Sequence, residues 1–507
     1  MISSPVFSLT SLEMKVKNPW HRPHIFLATT GIAVAIIIMV SIAVVQNKPL
    51  HQKYKYGIVL DAGSSHTSVY IYEWPAEKEN NTGMVRQKHA CSVKGKGISS
   101  YSKTPEKAGE SLKECMDEAK KTIPKHRHHE TPVYLGATAG MRLLKMENDV
   151  DSINVLASVE KSLQTYPFSY QGARIITGQE EGAFGWITVN YLSENFRKAT
   201  GTEGALDLGG ASTQITFVSG QKMESPDDSI DFRLYGNDYH LYTHSFLCYG
   251  KDQVLKLYLE QQIQPKPNMT DNIILEDPCF HPGYNVAKNF QSVFDSPCVK
   301  KFTNSQKEHN FRHRGIGNWT KCNEAIKKVF NTSHCRYSRC SFNDVFQPPV
   351  QGKFGAFSAY FFVMNFLKVT NYHSLVEAKK ILDAYCTTPW DTLKQKHPDV
   401  KEKYLAEYCF SGTYIISLLE DGYKFTADDW KNTKFIKTIK DSEAGWTLGY
   451  MLNLTNMIPA EAPDTPLLPH GGYVSLMTVL SLLIIVCIIL GCIFFRRPSG
   501  PAHKEII

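Results

Sequence analysis

The chain has 507 residues, with 56 Lys and Arg against 49 Asp and Glu and a formal net charge of +7. That length exceeds what one hydrophobic core usually holds, so two or three domains are expected. The positive charge is dispersed, and its densest run, KHRHH at 125–129, has no interleaved aromatics; it reads as a solvated face and excludes nucleic acid as a partner.

In chain order, a polar segment at 1–24 leads into an uncharged apolar stretch at 25–45, close to the roughly 20 residues that cross a bilayer. Its apolar core is longer than that of a cleavable signal peptide and no small-residue cleavage site follows, so an uncleaved anchor is expected. Within it, Gly31 and Ala35 form a small-xxx-small pattern that permits close helix approach, either inside one molecule or in a homo-oligomer joined through these helices. A second uncharged stretch at 474–495 follows a Pro-rich stalk at 462–473. Arg496, Arg497 and Lys504 come after it, whereas no Lys or Arg lies between 441 and 495, which puts the 496–507 tail in the cytoplasm. Two spans then place 1–24 there too, and everything between them outside the cytosol.

The intervening region carries the marks of an oxidising compartment. Sequons stand at Asn80, Asn268, Asn318, Asn331 and Asn453, all between the spans. So do Cys91, Cys115, Cys248, Cys279, Cys298, Cys322, Cys335, Cys340, Cys386 and Cys409, an even set that reads as disulfides. Cys335 and Cys340 are closely spaced but lack a second such pair, so zinc is not expected. Cys487 and Cys492, in the second span, read as packing residues or acylation sites.

Between the spans one short pattern is written twice: GIVLDAGSSHTSVYIY at 57–72 and GALDLGGASTQITF at 204–217. Each is an apolar strand ending on Asp, a turn of small residues, and a second strand. Gly63, Gly209 and Gly210 let the turn amides converge on an anion, with Asp61 and Asp207 at the turn entrances. Strands at 132–138 and 173–178 alternate with helices at 107–121 and 151–164, the signature of an α/β domain. The 248–340 region reads as disulfide-stapled insertions, and aromatic-rich helical text returns at 354–384 and 402–422. No GxxxxGK[ST] loop occurs; VKGKGISS at 93–100 has the wrong spacing, which excludes a P-loop enzyme.

Five segments in order, DAGSSHT at 61–67, GATAGMRLL at 136–144, ITGQEEGAFGW at 176–186, DLGGASTQ at 207–214 and AGWTLGYMLN at 444–453, resemble the five apyrase conserved regions of the ecto-nucleoside triphosphate diphosphohydrolase family. The resemblance covers the whole region between the spans. It implies an α/β fold of two actin/Hsp70-like (RNase H-like) lobes with the site in the cleft between them: 46–177 with 437–461 as lobe I, and 178–436 as lobe II. It implies an apyrase that hydrolyses nucleoside tri- and diphosphates (ATP, ADP, UTP, UDP) to monophosphates with Ca²⁺ or Mg²⁺.

In that scheme Glu181 is the catalytic base, with Glu180 a helix-start or surface charge, and Ser212 and Gln214 orient the attacking water. Gly63, Ser64, Ser65, His66 and Thr67, Thr138 and Ala139, and Gly209, Gly210 and Ala211 hold phosphate. Asp61 and Asp207 hold the cation through water, in keeping with the oxygen preference of hard cations. Tyr408 would stack on the nucleobase and Trp446 would lie near the phosphates, with FGAFSAYFF at 354–362 a further aromatic cluster. Cys335 with Cys340 and Cys386 with Cys409 are the expected short-range pairs, and the other pairings stay open. The cell-surface branch of the family implies a multi-pass plasma-membrane protein with an extracellular site. A lumenal Golgi/ER-type nucleoside diphosphatase of the same family, or a phosphotransferase on the same fold, remains the alternative.

Overall fold

The computed structural model describes residues 23–46, 53–77, 84–198, 201–263, 273–300, 310–370, 373–455, 458–461 and 468–496. Asn80 and Asn268, and the tails at 1–22 and 497–507, lie outside the described residues. The chain divides into two units, one of the two termini (Met1–Lys53 with Glu461–Ile507) and one of Tyr54–Ala460.

In the terminal unit the helices Pro23–Gln46 and His470–Arg496 each contain a stretch long and apolar enough to cross a membrane. They pack on each other where side chains are smallest. A Cβ on Gly31 would lie 3.6 Å from Cys487 Sγ and one on Gly491 3.8 Å from Ala28, while Ala35 is buried. The small-residue stripe thus serves an approach within one chain. Gln46 closes the hairpin, its amide donating to Leu468 O (2.8 Å) and accepting from Leu468 N–H (3.2 Å). The second helix begins at His470, so the last residues assigned to the stalk are helical.

The large unit is α/β, as its alternating elements imply. In lobe I, β1 (Tyr54–Ala62), β2 (Thr67–Pro75), β3 (Arg86–Ser92), β4 (Pro132–Ala137) and β5 (Ser169–Ile175) form one sheet in the order β3-β2-β1-β4-β5. The β1–β2 pair is antiparallel and β1–β4 parallel. Strand periodicity splits β1 between two cores: Ile58, Leu60 and Ala62 pack with Met116, Val155 and Val159, whereas Val59 joins Tyr72 and Trp74 on the other face. β5 ends earlier than its sequence suggests because Thr177 is needed as the cap of the next helix. The helix expected at 107–121 is two pieces, Glu106–Ser111 and Lys113–Thr122. His128, in the run read as a solvated face, is buried against Phe168, its Nε2 2.9 Å from Ile123 O, because an imidazole that satisfies one ring nitrogen on a carbonyl can sit on an aromatic.

Lobe II repeats the plan. β6 (Gly204–Leu208), β7 (Ser212–Val218), β8 (Ser229–Leu234) and β9 (Asn237–Leu247) are followed by a small sheet of β10 (Ile273–Asp277), β11 (Asn285–Asn289) and β12 (Asn310–Gly315), then by β13 (Phe354–Ser358) and β14 (Thr433–Phe435). The main sheet runs β14-β13-β6-β7-β9-β8, with β6–β7 antiparallel and β6–β13 parallel, the relation that β1 has to β2 and β4. Residues 354–358, expected as helix, form β13. A parallel strand buried on both faces is a continuous apolar run, which periodicity alone does not separate from a buried helix.

Five disulfides join Cys91–Cys115, Cys248–Cys298, Cys279–Cys322, Cys335–Cys340 and Cys386–Cys409, including both short-range pairs. Asn318 and Asn331 are exposed, whereas Asn453 is half-buried in a helix.

Two helices cross between the lobes. Gly178–Leu192 is buried on nearly every side, and Trp446–Thr455 lies against it, with Gly449 N–H donating to Thr188 Oγ1 at 2.8 Å. A Cβ on Gly449 would be 2.0 Å from Phe184 O, so only glycine permits this approach. The second helix also meets the lobe I sheet, through Met451 on Gly57 and Trp446 on Gly136.

Candidate active site

The β1–β2 register leaves 63–66 as the first loop, with Asp61 paired to Ser68 and Ala62 to Thr67. Its support comes from a segment with no assigned role, the glycine-rich 93–97 stretch. Gly97 N–H donates to Ser65 O (3.1 Å) and Val93 N–H to Thr67 O (2.9 Å), and a Cβ on Gly97 would be 2.5 Å from Gly63 O. Thr138 N–H donates to Ala62 O (3.1 Å), and Gly140 lies against Ser64, where a Cβ would come within 2.7 Å of its Cα. Ser65 and His66 are exposed, with Ser65 Oγ 3.0 Å from His66 Nδ1, whereas Thr67 is buried and its hydroxyl unpartnered.

In the second loop the carbonyls are used internally. Gly209, Gly210 and Ala211 accept from Lys251 (2.8 Å), Asp252 (2.9 Å) and Cys248 (2.8 Å) N–H, and Gly209 N–H donates to Ser212 O (3.0 Å). The two loops meet. A Cβ on Gly210 would be 2.7 Å from Ser64 Oγ, and Ala139 of lobe I packs with Ala211 of lobe II around Leu143.

Glu180 and Glu181 open the Gly178–Leu192 helix and point apart. Glu180 forms a capping box with Thr177 and an ion pair with Arg174 at 2.8 Å; burial opposes its charge, but Arg174 and the Thr177 N–H hold it below its usual range. Glu181 faces inward. Gly182 lets the helix lie directly on β7 and β9, since a Cβ there would be 2.6 Å from Thr216 Oγ1. Gln214 Nε2 is then 3.1 Å from Glu181 Oε2, 2.7 Å from Ser212 Oγ and 2.8 Å from Ser245 Oγ.

Two participants were missed from the sequence. Arg142 forms an ion pair with Glu181 and reaches Ser212 Oγ and Ser245 Oγ at 3.3 Å each. It stands in GATAGMRLL, four residues after Thr138, one helical turn on and therefore on the same face, a signal that was available. Ser245 lies in no recognised segment; it arrives through the β7–β9 register, which pairs it with Gln214. Gln214 Oε1 and Arg142 Nε are buried without partners, so the network has an unused acceptor and donor.

Three carboxylates share this region. Burial, then the Glu181 charge, push Asp61 up to about 7 and Asp207 up to about 8. Glu181 is raised by burial and held back by Arg142. Asp61 Oδ1 is enclosed, with the Trp446 indole beside it but no well-aligned hydrogen bond. Buried carboxylates facing one another with a free oxygen fit a hard cation, which would remove both the repulsion and the unmet bond. Among the described residues no three His, Cys, Asp or Glu side chains gather closely enough to ligate an ion directly. Ser358, at the end of β13 and beside Asp207, has a φ of 57°, a conformation costly for a non-glycine residue.

The cleft aromatics separate. Trp446 is buried on Gly136 with its indole beside the Asp61 carboxylate. Tyr408 is half-buried and stacks on Phe366, ring centroids 4.0 Å apart; it borders Lys251, whose backbone binds the second loop. In the 354–362 cluster Phe354, Phe357 and Tyr360 are core, and Phe362 is exposed.

Two like-built lobes, each presenting an Asp-led loop, with a buried glutamate between them, define a two-lobed α/β phosphohydrolase. The chain belongs to the GDA1/CD39 (nucleoside phosphatase) family, which it matches over residues 47–467. It is 52% identical over 491 residues to ectonucleoside triphosphate diphosphohydrolase 1 of Mus musculus (94% of this chain, 95% of the relative). Identity is 43% over 499 residues to ectonucleoside triphosphate diphosphohydrolase 2 of the same species (94% and 98%). Among solved structures, nucleoside triphosphate hydrolases from Neospora caninum share the fold at 13% identity and a TM-score of 0.60, over 89% of this chain and all of that one.

Proposed function

We propose that the protein is an ecto-apyrase that converts extracellular nucleoside tri- and diphosphates to monophosphates by direct water attack, without a phosphoenzyme. The carrying observation is the network in which Glu181 accepts from Gln214 and Arg142 beside Ser212, between two facing anion-type loops. Hydrolysis needs a base for the water's proton and donors for the phosphoryl oxygens.

Glu181 takes the proton, while Ser212 and the free Oε1 of Gln214 aim the water. Arg142 opposes the burial that raises the proton affinity of Glu181. Gly63, Ser64, Ser65, His66 and Thr67 with Thr138 and Ala139 bind phosphate from lobe I, and Gly209, Gly210 and Ala211 bind it from lobe II. When bound, Ca²⁺ or Mg²⁺, held through water by Asp61 and Asp207, neutralises phosphate charge. Tyr408 receives the base by stacking, which tolerates purine and pyrimidine alike. With the two apolar helices as spans and the 496–507 tail in the cytoplasm, as the basic residues after the second stretch favour, the site is extracellular.

Purified full-length protein given ATP and Ca²⁺ releases phosphate and accumulates AMP. Glu181→Gln retains its melting temperature and loses about 10²-fold or more in turnover. Full activity in that variant would sink the assignment, and phosphate release by intact expressing cells tests the topology.

A further inference from the structure

At the far end of the Gly178–Leu192 helix, about 16 Å from Glu181 by helical rise, a cavity of about 240 Å³ opens between the lobes. Val85 and Arg86 of lobe I face Leu192, Phe196 and Tyr235 across it. Tyr191 Oη ties the two sides, donating to Val85 O at 2.8 Å.

The lining carries three cations, Arg86, Arg197 and Lys440, against one carboxylate, Glu194. Arg86 is committed to the buried Glu73 at 2.6 Å and Lys440 to Glu194. Arg197 is exposed and makes no salt bridge among the described residues, although Glu194, already bound to Lys440, also feels its charge. The backbone is also unusual here. Glu194, Tyr235, Lys440 and the adjoining Asp441 have φ of 57°, 50°, 49° and 65°, a concentration of left-handed non-glycine residues of the kind found at ligand clamps and hinges.

The cavity is placed to report lobe angle. At the other end of the helix the phosphate loops touch, Ser64 against Gly210 and Ala139 against Ala211, so admitting a triphosphate requires the lobes to part. Walls drawn from both lobes then move relative to each other, and a ligand that prefers one setting biases that motion.

We propose that this cavity binds a small apolar organic anion, its ring or chain between Leu192, Phe196 and Tyr235 and its charge on Arg197, and that occupancy holds the lobes closed and slows turnover. A volume below the roughly 300–1,000 Å³ of drug-sized pockets suits a fused two-ring aryl carboxylate or sulfonate. The binding half stands on the cavity alone; the regulatory half rests on nucleotide hydrolysis as proposed above.

The test uses the full chain in lipid nanodiscs with naphthalene-2-sulfonate as probe, and the Arg197→Glu protein in identical discs corrects for partition into lipid. The wild type binds the probe, Arg197→Glu binds it about tenfold more weakly or worse, as expected for loss of a charge-assisted contact, and Arg197→Lys retains most of the affinity. The probe lowers kcat for ATP with KM unchanged, and both variants match the wild-type rate without it. Equal binding by wild type and Arg197→Glu, or displacement of the probe by a non-hydrolysable ATP analogue, overturns the site. Arg197-dependent binding with no change in kcat overturns the regulation. Absence of any ATP hydrolysis refutes the proposed activity, while the binding comparison still decides the cavity.

Discussion

Replacing Arg142 with Met removes the cation held against Glu181 while keeping most of the side-chain volume. The pair is nearly closed to solvent, with side-chain exposures of 16% for Arg142 and 9% for Glu181. Burial already raises the proton affinity of Glu181, and Arg142 is what opposes it. A hydrogen bond to a charged group contributes roughly 1.5–3 kcal/mol, and one pKa unit corresponds to about 1.4 kcal/mol. Losing the bond therefore raises the Glu181 pKa further, because burial is then left unopposed.

A general base works only when deprotonated, so the acid limb of the pH–rate profile moves to higher pH by the same amount. On the acid side kcat/KM falls by at most about 10- to 100-fold, the ceiling set by roughly 1.5–3 kcal/mol of lost interaction, and activity recovers as the medium is made alkaline. Arg142→Lys restores the charge but not the fork that reaches both serines, so its profile shifts less than its rate falls. The assay is steady-state phosphate release across pH for wild type and both variants. A uniform loss at every pH in Arg142→Met would assign Arg142 to architecture, and an unchanged profile would refute the reasoning.

Gly97→Ala puts a Cβ 2.5 Å from Gly63 O and 2.8 Å from Ser64 O, both backbone atoms that cannot step aside without moving the first loop. KM for ATP should rise about tenfold, with a stability loss of about 1–3 kcal/mol seen in thermal melts; unchanged kinetics would separate 93–97 from the site. Chelation with EDTA should stop phosphate release and added Ca²⁺ or Mg²⁺ restore it, and Asp61→Asn should raise the cation concentration needed; indifference to chelation removes the cation from the scheme. Burial holds His281 down to about 4, below its ordinary 6.5, so it is neutral in the fold. The unfolded chain takes up that proton first, so the stability His281 contributes is full above pH about 6.5 and lost as pH falls toward 4, up to about 3 kcal/mol. His281→Asn should flatten the dependence of unfolding midpoint on pH across that window; parallel curves would exclude His281 as its source.

Local text in this chain is specific where the chemistry is local. The twin Asp-led turns at 61–67 and 207–213 and the two long apolar stretches could be read directly, because a turn and an apolar run are each defined within a few residues, while the capping box that turns Glu180 outward emerged in the structure. β13 was misread because double-sided burial erases the period that distinguishes strand from helix. His128 was misread because a charge run does not say which member turns inward.

The Asp-led small-residue turns and the two long apolar runs are encoded by neighbours in the chain and were legible without the fold, whereas the choice of Glu181 over Glu180 came from the family resemblance. Only the tertiary structure decided what Glu181 touches. Gly182 sinks the helix onto β7 and β9, the β7–β9 register delivers Ser245, and the packing of lobe I on lobe II brings Arg142 across to Glu181. Those contacts join residues 31 to 103 positions apart, a separation at which packing, not local propensity, sets geometry.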